Sequence, residues 1–155
     1  MMTEVSFIDT TVLCNLVPVP GRDQNADEVK REMTERLNRR ERFILPITSV
    51  IETGNFIAQL ADGQLRRQTA EKLDAILNLI CERKAPWVLH DVAWDRNFLR
   101  TLLDGADTMS TYVEHAMNKV GAGDLCIITE RLQFEERSKI RAKIWTLDDG
   151  LLAHA

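Results

Sequence analysis

Four acidic residues adjoin apolar segments at widely separated places in this sequence. Asp9 directly follows the apolar run "VSFI", and Glu52 comes shortly after "FILPI". Asp124 opens the apolar segment "DLCIIT", and Asp148 directly follows "KIWTL". Carboxylates that are brought together repel one another, so a pocket built from these four must hold protons or a cation.

The cation that such a pocket prefers decides its chemistry. Oxygen ligands of this kind suit Mg²⁺ or Mn²⁺. A bound divalent ion lowers the pKa of a water ligand, orients a phosphate group and stabilises the charge that develops during hydrolysis. The four acids therefore predict metal-assisted cleavage of a phosphodiester bond, provided that the fold brings them together.

Two of these acids can be explained by their place at a helix start, without a metal. Glu52 completes the pattern S-x-x-E with Ser49, and this pattern is typical of a capping box at a helix start. Asp124 at the start of a helix is favoured by the helix dipole. Taken singly, neither residue requires a ligand, and the prediction depends on their joint arrangement.

The other two acids differ in how easily they are explained. Asp148 and Asp149 precede Gly150, which is ordinary turn chemistry, and the pair leaves open which of the two would be the fourth acidic ligand. Asp9 is the hardest to explain without a function, because it lies against a buried strand.

Strands alternate with helices in the predicted order of elements. Short apolar runs predict strands, and apolar residues at helical spacing predict the helices between them. The predicted strands span 5–8, 43–47, 86–90 and 143–147. The predicted helices span 11–17, 26–41, 49–61, 65–83, 91–105, 109–120 and 123–138. This order predicts one α/β domain over residues 1–155, with a mainly parallel sheet of four to five strands between two helical layers.

The predicted sheet supplies a reason for the acids to meet. Open parallel sheets bind ligands at the carboxyl ends of their strands. Asp9 and Asp148 end predicted strands, while Glu52 and Asp124 lie at the starts of helices that face the same edge. We therefore expect the four carboxyl groups to converge on one pocket at that edge.

Composition narrows the classes of protein that the chain can represent. The chain has 155 residues, 45% of them hydrophobic and 28% charged, with a net charge of −4. This balance is typical of a globular domain. No apolar run reaches the roughly 18 residues of a transmembrane helix, and the first residues show no signal-peptide pattern. We therefore expect a cytoplasmic protein without a membrane partner.

The other residue types that often act in catalysis or binding do not form a recognisable site in this sequence. The three cysteines show no metal-ligand spacing and are predicted to be small buried hydrophobes. The three histidines and three tryptophans are scattered, which favours structural roles. A phosphatase of the haloacid dehalogenase type would need a second Asp two residues after Asp9, where this chain has Thr11. The chain also lacks a GxxxxGK[ST] loop, which excludes a P-loop hydrolase.

Four motifs in order resemble those of PIN-domain nucleases, of the small kind that includes the VapC-type ribonuclease toxins. They are "FIDTTVL", "LPITSVIETGNFI", "GAGDLCIITE" and "IWTLDDGL", and they extend over nearly the whole chain. Where the family often has Asn or Ser two residues after its first Asp, this chain has Thr11, so an amide is replaced by a hydroxyl.

The resemblance implies an α/β/α sandwich and an acidic pocket that binds Mg²⁺ or Mn²⁺ and hydrolyses RNA. It implies catalytic roles for Asp9, Glu52, Asp124 and Asp148, with Asp9, Asp124 and Asp148 as metal ligands. It places Thr10, Ser49, Thr146 and Asp149 around the pocket. It further implies a small antitoxin-type partner and a homodimer.

An acidic pocket also needs cations from the protein to hold the flanking phosphates of RNA. Arg22 in the long loop after the first helix and Lys119 just before the Asp124 segment are the predicted contacts. The basic runs at 39–42 and 137–143 precede strands, so we expect them at the opposite edge of the sheet.

A second function is left open by the sequence. The domain could be a catalytically inactive PIN-fold module that binds RNA or a protein partner. The helices at 11–17 and 65–83 carry more apolar side chains than a solvated face needs. They are predicted either to form a protein interface or simply to pack on the sheet.

Overall fold

Residues 3–155 are described by a computed structural model, and they form three β-strands and eight α-helices. The strands are β1 (Val5–Ile8), β2 (Arg42–Ile44) and β3 (Ala142–Trp145). The helices are α1 (Thr10–Leu16), α2 (Ala26–Asn38), α3 (Ile47–Ala58), α4 (Gly63–Cys81), α5 (Arg96–Leu103), α6 (Tyr112–Met117), α7 (Ala122–Ser138) and α8 (Asp149–Leu152). A helix with the length and hydropathy of a membrane span is not found in this part of the chain.

The three strands form one parallel sheet in the order β2-β1-β3. Phe7 of the central strand β1 pairs with Ile44 on one side and with Ile144 on the other. The carboxyl ends of all three strands therefore lie at the same edge of the sheet. The predicted α/β class with a parallel sheet is confirmed.

The sheet is smaller than the four to five strands that the sequence predicts. Within residues 3–155, the segment predicted as a strand at 86–90 contributes one bridge, in which Phe43 pairs with Trp87 in the parallel sense. Pro86 has no N–H to donate to a ladder. The neighbouring strand β2 is only three residues long, so it offers too short an edge for a full fourth strand.

Two helices begin later than their sequence patterns predict. The helix predicted at 91–105 begins at Arg96, because the side chain of Asp95 accepts a backbone hydrogen bond in the first turn. The helix predicted at 109–120 is shortened in the same way by a capping box at Thr111. In both cases a polar side chain satisfies the free N–H groups of the first turn and so sets the start of the helix.

Apolar side chains of the sheet pack on both of its faces. Phe7 is fully buried in a cluster with Leu125 and Ile128 of α7. Ile8, the next residue of β1, is fully buried in a separate cluster that includes Val12 of α1. Successive strand side chains point to opposite faces, so the two clusters hold helices against both sides of the sheet.

The predicted interface on the helices at 11–17 and 65–83 is only partly compatible with this packing. Val12 and Leu13 of α1 are fully buried in the core, so for α1 the second alternative, packing on the sheet, is the one found. Helix α4 buries part of its apolar surface and leaves Leu65 exposed.

Candidate acidic site at the carboxyl edge of the sheet

Asp9 lies at the end of β1 and caps α1. Its backbone N–H donates to the carbonyl of Trp145 at 3.0 Å, which extends the pairing of β1 with β3. Its Oδ2 accepts hydrogen bonds from the hydroxyls of Thr11 and Thr146, both at 2.7 Å. Within residues 3–155 every side-chain hydrogen bond of Asp9 uses Oδ2, so Oδ1 is left for a ligand.

Glu52 is oriented by contacts between α3 and the end of β1. Its Oε1 accepts a hydrogen bond of 2.7 Å from the hydroxyl of Thr10. The hydroxyl of Ser49 donates to the carbonyl of Ile8 at 2.8 Å. Helix α3 begins before Ser49, so Ser49 is not an N-cap. The capping box that would explain Glu52 without a ligand therefore does not form.

Asp124 and Asp148 lie at the starts of α7 and α8. Asp124 is in the first turn of α7, next to Gly123, where a Cβ would lie 3.3 Å from Oε2 of Glu52. The lack of a side chain at Gly123 therefore lets α7 approach α3 closely. Asp148 caps α8 and accepts a hydrogen bond of 3.0 Å from the N–H of Gly150.

Asp9, Glu52, Asp124 and Asp148 line a single cavity of about 510 Å³. The convergence that the strand-end placement predicts is therefore found. Asp149 is exposed beside Asp148 and is not among the described residues that line this cavity. The structure thus places Asp148 rather than Asp149 in the acidic cluster.

The surroundings of Asp124 in the cluster change its pKa. Burial, followed by the negative charges of Asp9, Asp148 and Glu52, raises the pKa of Asp124 to about 6. A hydrogen bond with Asp148 acts in the same direction. The metal-free cavity therefore holds a proton on Asp124 under mildly acidic conditions, as expected for carboxylates that cannot all ionise freely.

The cavity offers carboxylate and hydroxyl oxygens, which are the ligands that Mg²⁺ and Mn²⁺ prefer. Within residues 3–155, no group of three His, Cys, Asp or Glu side chains is arranged so that it could hold one ion. An ion at this place would therefore require side-chain rotation. The residues fit a hard divalent cation by donor type and because such a cation would relieve the repulsion that raises the pKa of Asp124.

Arg22 adds a positive charge to the wall of the same cavity. A tight turn presents it, in which the N–H of Arg22 donates to the carbonyl of Val19 at 2.9 Å and Gly21 has a φ of 86°. Pro20 followed by glycine at positive φ is typical of a type II turn. The guanidinium carbon of Arg22 lies 3.4 Å from the centre of the Phe56 ring.

Several residues that line this cavity were not predicted from the sequence, and two of them, Phe56 and Asn15, act on Arg22 or its loop. Phe56 lies four residues after Glu52 and shares its face of α3, so helical spacing could have identified it. Asn15 is a polar residue within an apolar segment. Its Nδ2 donates to the carbonyl of Thr11, and its Oδ1 accepts from the N–H of Asn25. Asn15 thus ties the loop that carries Arg22 to α1.

Lys119, the other predicted phosphate contact, is exposed in the turn that follows α6. It is not among the described residues that line the acidic cavity. The basic runs at 39–42 and 137–143 are likewise outside that lining, as their placement before strands predicts. The role of Lys119 in RNA binding stays a prediction.

The structural roles predicted for the cysteines, tryptophans and histidines agree with the structure in some cases and not in others. Cys14 is buried and lines the cavity, whereas Cys81 is exposed, so the prediction of buried cysteines is wrong for Cys81. Trp87 and Trp145 are buried in the core. His115 is buried and contacts the hydroxyl of Thr108 at 2.6 Å, which is a structural role.

Comparison of this chain with protein-family models, with curated proteins and with solved structures gives no match. The resemblance of its four motifs to PIN-domain nucleases therefore stays a prediction. The function has to be argued from the residues and the geometry of the acidic cavity.

Proposed function

We propose that this protein is a divalent-metal-dependent ribonuclease of the PIN-domain type, with an α/β/α sandwich that hydrolyses RNA at the acidic cavity. The proposal is carried by one observation: four carboxylates from four distant segments line one cavity. Within residues 3–155 none of them forms a salt bridge with Lys or Arg. Acids that are clustered without ion-pair partners are suited to bind a cation from solution.

The proposed metal ligands are Asp9, Asp124 and Asp148, with Glu52 completing the acidic cluster. A divalent ion bound there supplies a water of lowered pKa and a positive charge at the scissile phosphate. Without that ion, four negative charges would repel the RNA backbone. The same carboxylates that bind the ion therefore also make RNA binding depend on it.

Hydroxyl groups hold these carboxylates in place. Thr11 and Thr146 donate to one oxygen of Asp9, and Thr10 donates to one oxygen of Glu52. Such partners fix the orientation of a ligand and leave its other oxygen free, which is why their loss typically costs about 10–100-fold in affinity or activity. The hydroxyl of Thr11 thus performs an orienting role that the family often assigns to an amide or another hydroxyl.

Arg22 is the proposed phosphate contact, because it is a cation on the wall of the acidic cavity. Lys119 is proposed to contact phosphates further along the RNA. Removal of one phosphate contact should weaken RNA binding for all sequences and should flatten its dependence on log salt by about one unit of slope.

The partners of the protein are also a proposal, and they rest on the resemblance alone. By that resemblance the protein is the toxin of a toxin–antitoxin pair, forms a homodimer and is neutralised by a small partner protein. Light scattering of the purified protein tests the homodimer, and purification from the native host tests whether a small partner protein is bound. A monomer at every concentration with no co-purifying protein would contradict them.

The cleavage test compares two adjacent acids. Purified protein is incubated with total RNA in Mn²⁺ or Mg²⁺, and again with an excess of chelator. The variants D148N and D149N provide a matched pair, because the first residue lines the cavity and the second is exposed beside it. We expect cleavage by the natural protein and by D149N, and no cleavage by D148N or in the presence of chelator.

Other outcomes of this test have definite meanings. Equal loss of activity in D148N and D149N would show that the placement of the fourth acid is wrong. Binding of RNA without metal-dependent cleavage by the natural protein would contradict the proposed enzyme and would favour the inactive PIN-fold module. Cleavage that survives the chelator would exclude a metal-dependent mechanism.

A further inference from the structure

Arg22 carries a flat, charged group that lies against an aromatic ring. Its guanidinium carbon lies 3.4 Å from the centre of the Phe56 ring, which is the distance of two groups in face-to-face contact. The type II turn at Val19–Arg22 and the hydrogen bonds of Asn15 fix the loop from which the side chain extends. Arginine stacks on aromatic rings in this way while keeping its donors free at the edges of the plane.

This arrangement covers one face of the guanidinium with an aromatic ring and leaves the residue exposed at the acidic cavity. Phe56 covers one face, whereas Arg22 is an exposed residue that lines the acidic cavity. Within residues 3–155 no acidic side chain forms a salt bridge with Arg22. A phosphate contact requires only a positive charge, so it does not account for the aromatic ring beneath that charge.

The geometry points to a base-stacking subsite: an unpaired nucleobase of the RNA lies on the open face of Arg22, in a base–guanidinium–phenyl stack. This inference rests on the proposed function, because it places the nucleotide next to the bond cleaved in the acidic cavity. Unstacked bases of single-stranded RNA are commonly bound on guanidinium planes and aromatic rings. The cavity volume of about 510 Å³ lies within the usual range for ligand sites.

The subsite requires a substrate with an unpaired base. A base within a duplex is already stacked between its neighbours, so it must be extruded before it can lie on Arg22. The protein should therefore bind a single strand and should discriminate against the duplex of the same sequence. Stacking is tolerant of base identity because every base has a π-face, so one subsite adds little sequence preference.

The test combines an RNA change with a protein change that keeps the charge. A single-stranded RNA oligonucleotide that the natural protein cleaves is prepared with an abasic residue at each position flanking the cleaved bond. Binding is measured in Ca²⁺ by fluorescence anisotropy for the natural protein, R22K and R22A, with thermal denaturation as a control of folding. Lysine retains the positive charge of Arg22 and lacks its plane.

We expect one abasic position to weaken binding by the natural protein about tenfold, in line with the usual cost of losing one stacked base. The same abasic change should have less than a twofold effect on R22K. The salt dependence of R22K should match that of the natural protein, whereas R22A should lose about one unit of slope. This non-additivity is the signature of direct contact between the base and the guanidinium.

Two results would overturn the subsite. If R22K binds the intact RNA as tightly as the natural protein and shows the same abasic penalty, Arg22 acts only as a point charge. If F56L, which removes the ring and keeps the arginine, retains both the affinity and the abasic penalty, the phenyl ring is not part of the subsite. Failure of the proposed function is distinguishable, because the natural protein itself would then cleave no RNA in Mn²⁺, whether or not it binds RNA.

Discussion

The carboxylates at the two ends of the parallel sheet have opposite surroundings. At the amino end Glu41 is 2% exposed, and both of its oxygens accept hydrogen bonds from Nη1 of Arg36, at 3.2 and 3.0 Å. The hydroxyl of Ser6 donates to the same carboxylate at 3.1 Å. At the carboxyl end four carboxylates share a cavity, and no described Lys or Arg forms a salt bridge with any of them.

The difference separates a structural acid from an acid that can bind a ligand. A buried pair such as Arg36 and Glu41 holds two elements together, and loss of one partner leaves an uncompensated charge. The cluster around Asp9 and Asp124 does the reverse, because burial, together with the neighbouring negative charges, raises the pKa of Asp124 and lowers the stability of the metal-free protein. Clustered acids without a protein counter-charge are typical of functional sites.

The largest expected effect is the loss of cleavage when Asp9 is replaced by Asn. Cleavage of RNA in Mn²⁺ should fall at least about 1,000-fold, because removal of one catalytic group commonly costs that much or more. The fold should survive, since Asn is an equally good N-cap for α1. Thermal denaturation is measured beside the cleavage assay. A D9N protein that fails to fold would instead show Asp9 to be a structural residue like Glu41.

At the amino end the effect should fall on stability instead. R36M should lower the free energy of unfolding by about 4 kcal/mol, because Glu41 would be left buried without a counter-charge. Urea denaturation measures the change, and the cleavage rate of the folded fraction should be unaffected. The control is R67M, which breaks an exposed ion pair with Glu71 and should cost only about 0.3–0.5 kcal/mol. Equal losses of stability in R36M and R67M would contradict the distinction between the buried and the exposed ion pair.

Glu130 differs both from Glu41 and from the acids of the cavity. It is buried, it has no ion-pair partner among the described residues, and it does not line the cavity. It is 1% exposed, and within residues 3–155 neither of its oxygens meets a donor at good hydrogen-bond geometry, although the backbone of Ile47 is near enough to act on its pKa. Burial raises the pKa of Glu130 to about 7, and the backbone of Ile47 offsets only part of this shift.

The pH dependence that follows from Glu130 has a definite sign. The folded protein binds this proton more tightly than the unfolded chain does, so the contribution of Glu130 to stability is greatest below about pH 4.5. It is lost as the pH rises to about 7. The loss should be on the order of 3 kcal/mol, and E130Q should remove it. Urea denaturation between pH 4 and pH 8 measures it, and identical profiles for both proteins would contradict the assignment.

The smallest expected effect concerns Asp124 in the metal-free protein. Its raised pKa of about 6 means that stability falls as the pH rises from about 4 to about 6. At pH 7.5 with chelator, D124N should be more stable than the natural protein by about 1 kcal/mol, after allowance for partial exposure. With Mn²⁺ the order should reverse, because a bound ion stabilises only the natural protein. Melting temperatures in the two buffers measure both differences.

The placement of the acids was largely predictable from the sequence. Asp9 follows a four-residue apolar run, and such a run ends at the edge of a parallel sheet where ligands bind. The same reasoning places Asp148 after β3 and Asp124 at the start of α7, and the structure brings both to the cavity. The position of an acid at the end of a strand can be predicted from the sequence, because it depends on the local apolar pattern and on the direction of the chain.

Features that depend on exact boundaries were less predictable. The pattern S-x-x-E at Ser49 predicted a capping box, but α3 begins earlier and gives Ser49 and Glu52 different partners. The fourth strand predicted at 86–90 was reduced to one bridge, because β2 offers only a short edge. A change of one or two residues in a helix or strand boundary is enough to change every side-chain contact that follows.

The sequence by itself thus determined the α/β class, the parallel sheet and the edge at which the acids collect, because these depend on periodicity and chain order. Only the tertiary structure decided which charges are paired. Arg36 neutralises Glu41, whereas Arg22 lies on Phe56 and leaves the acidic cluster without an ion pair. Arg36 and Glu41 are only five residues apart, and even for them ion pairing depends on how the end of α2 packs and on distances of a few ångströms that no local pattern specifies.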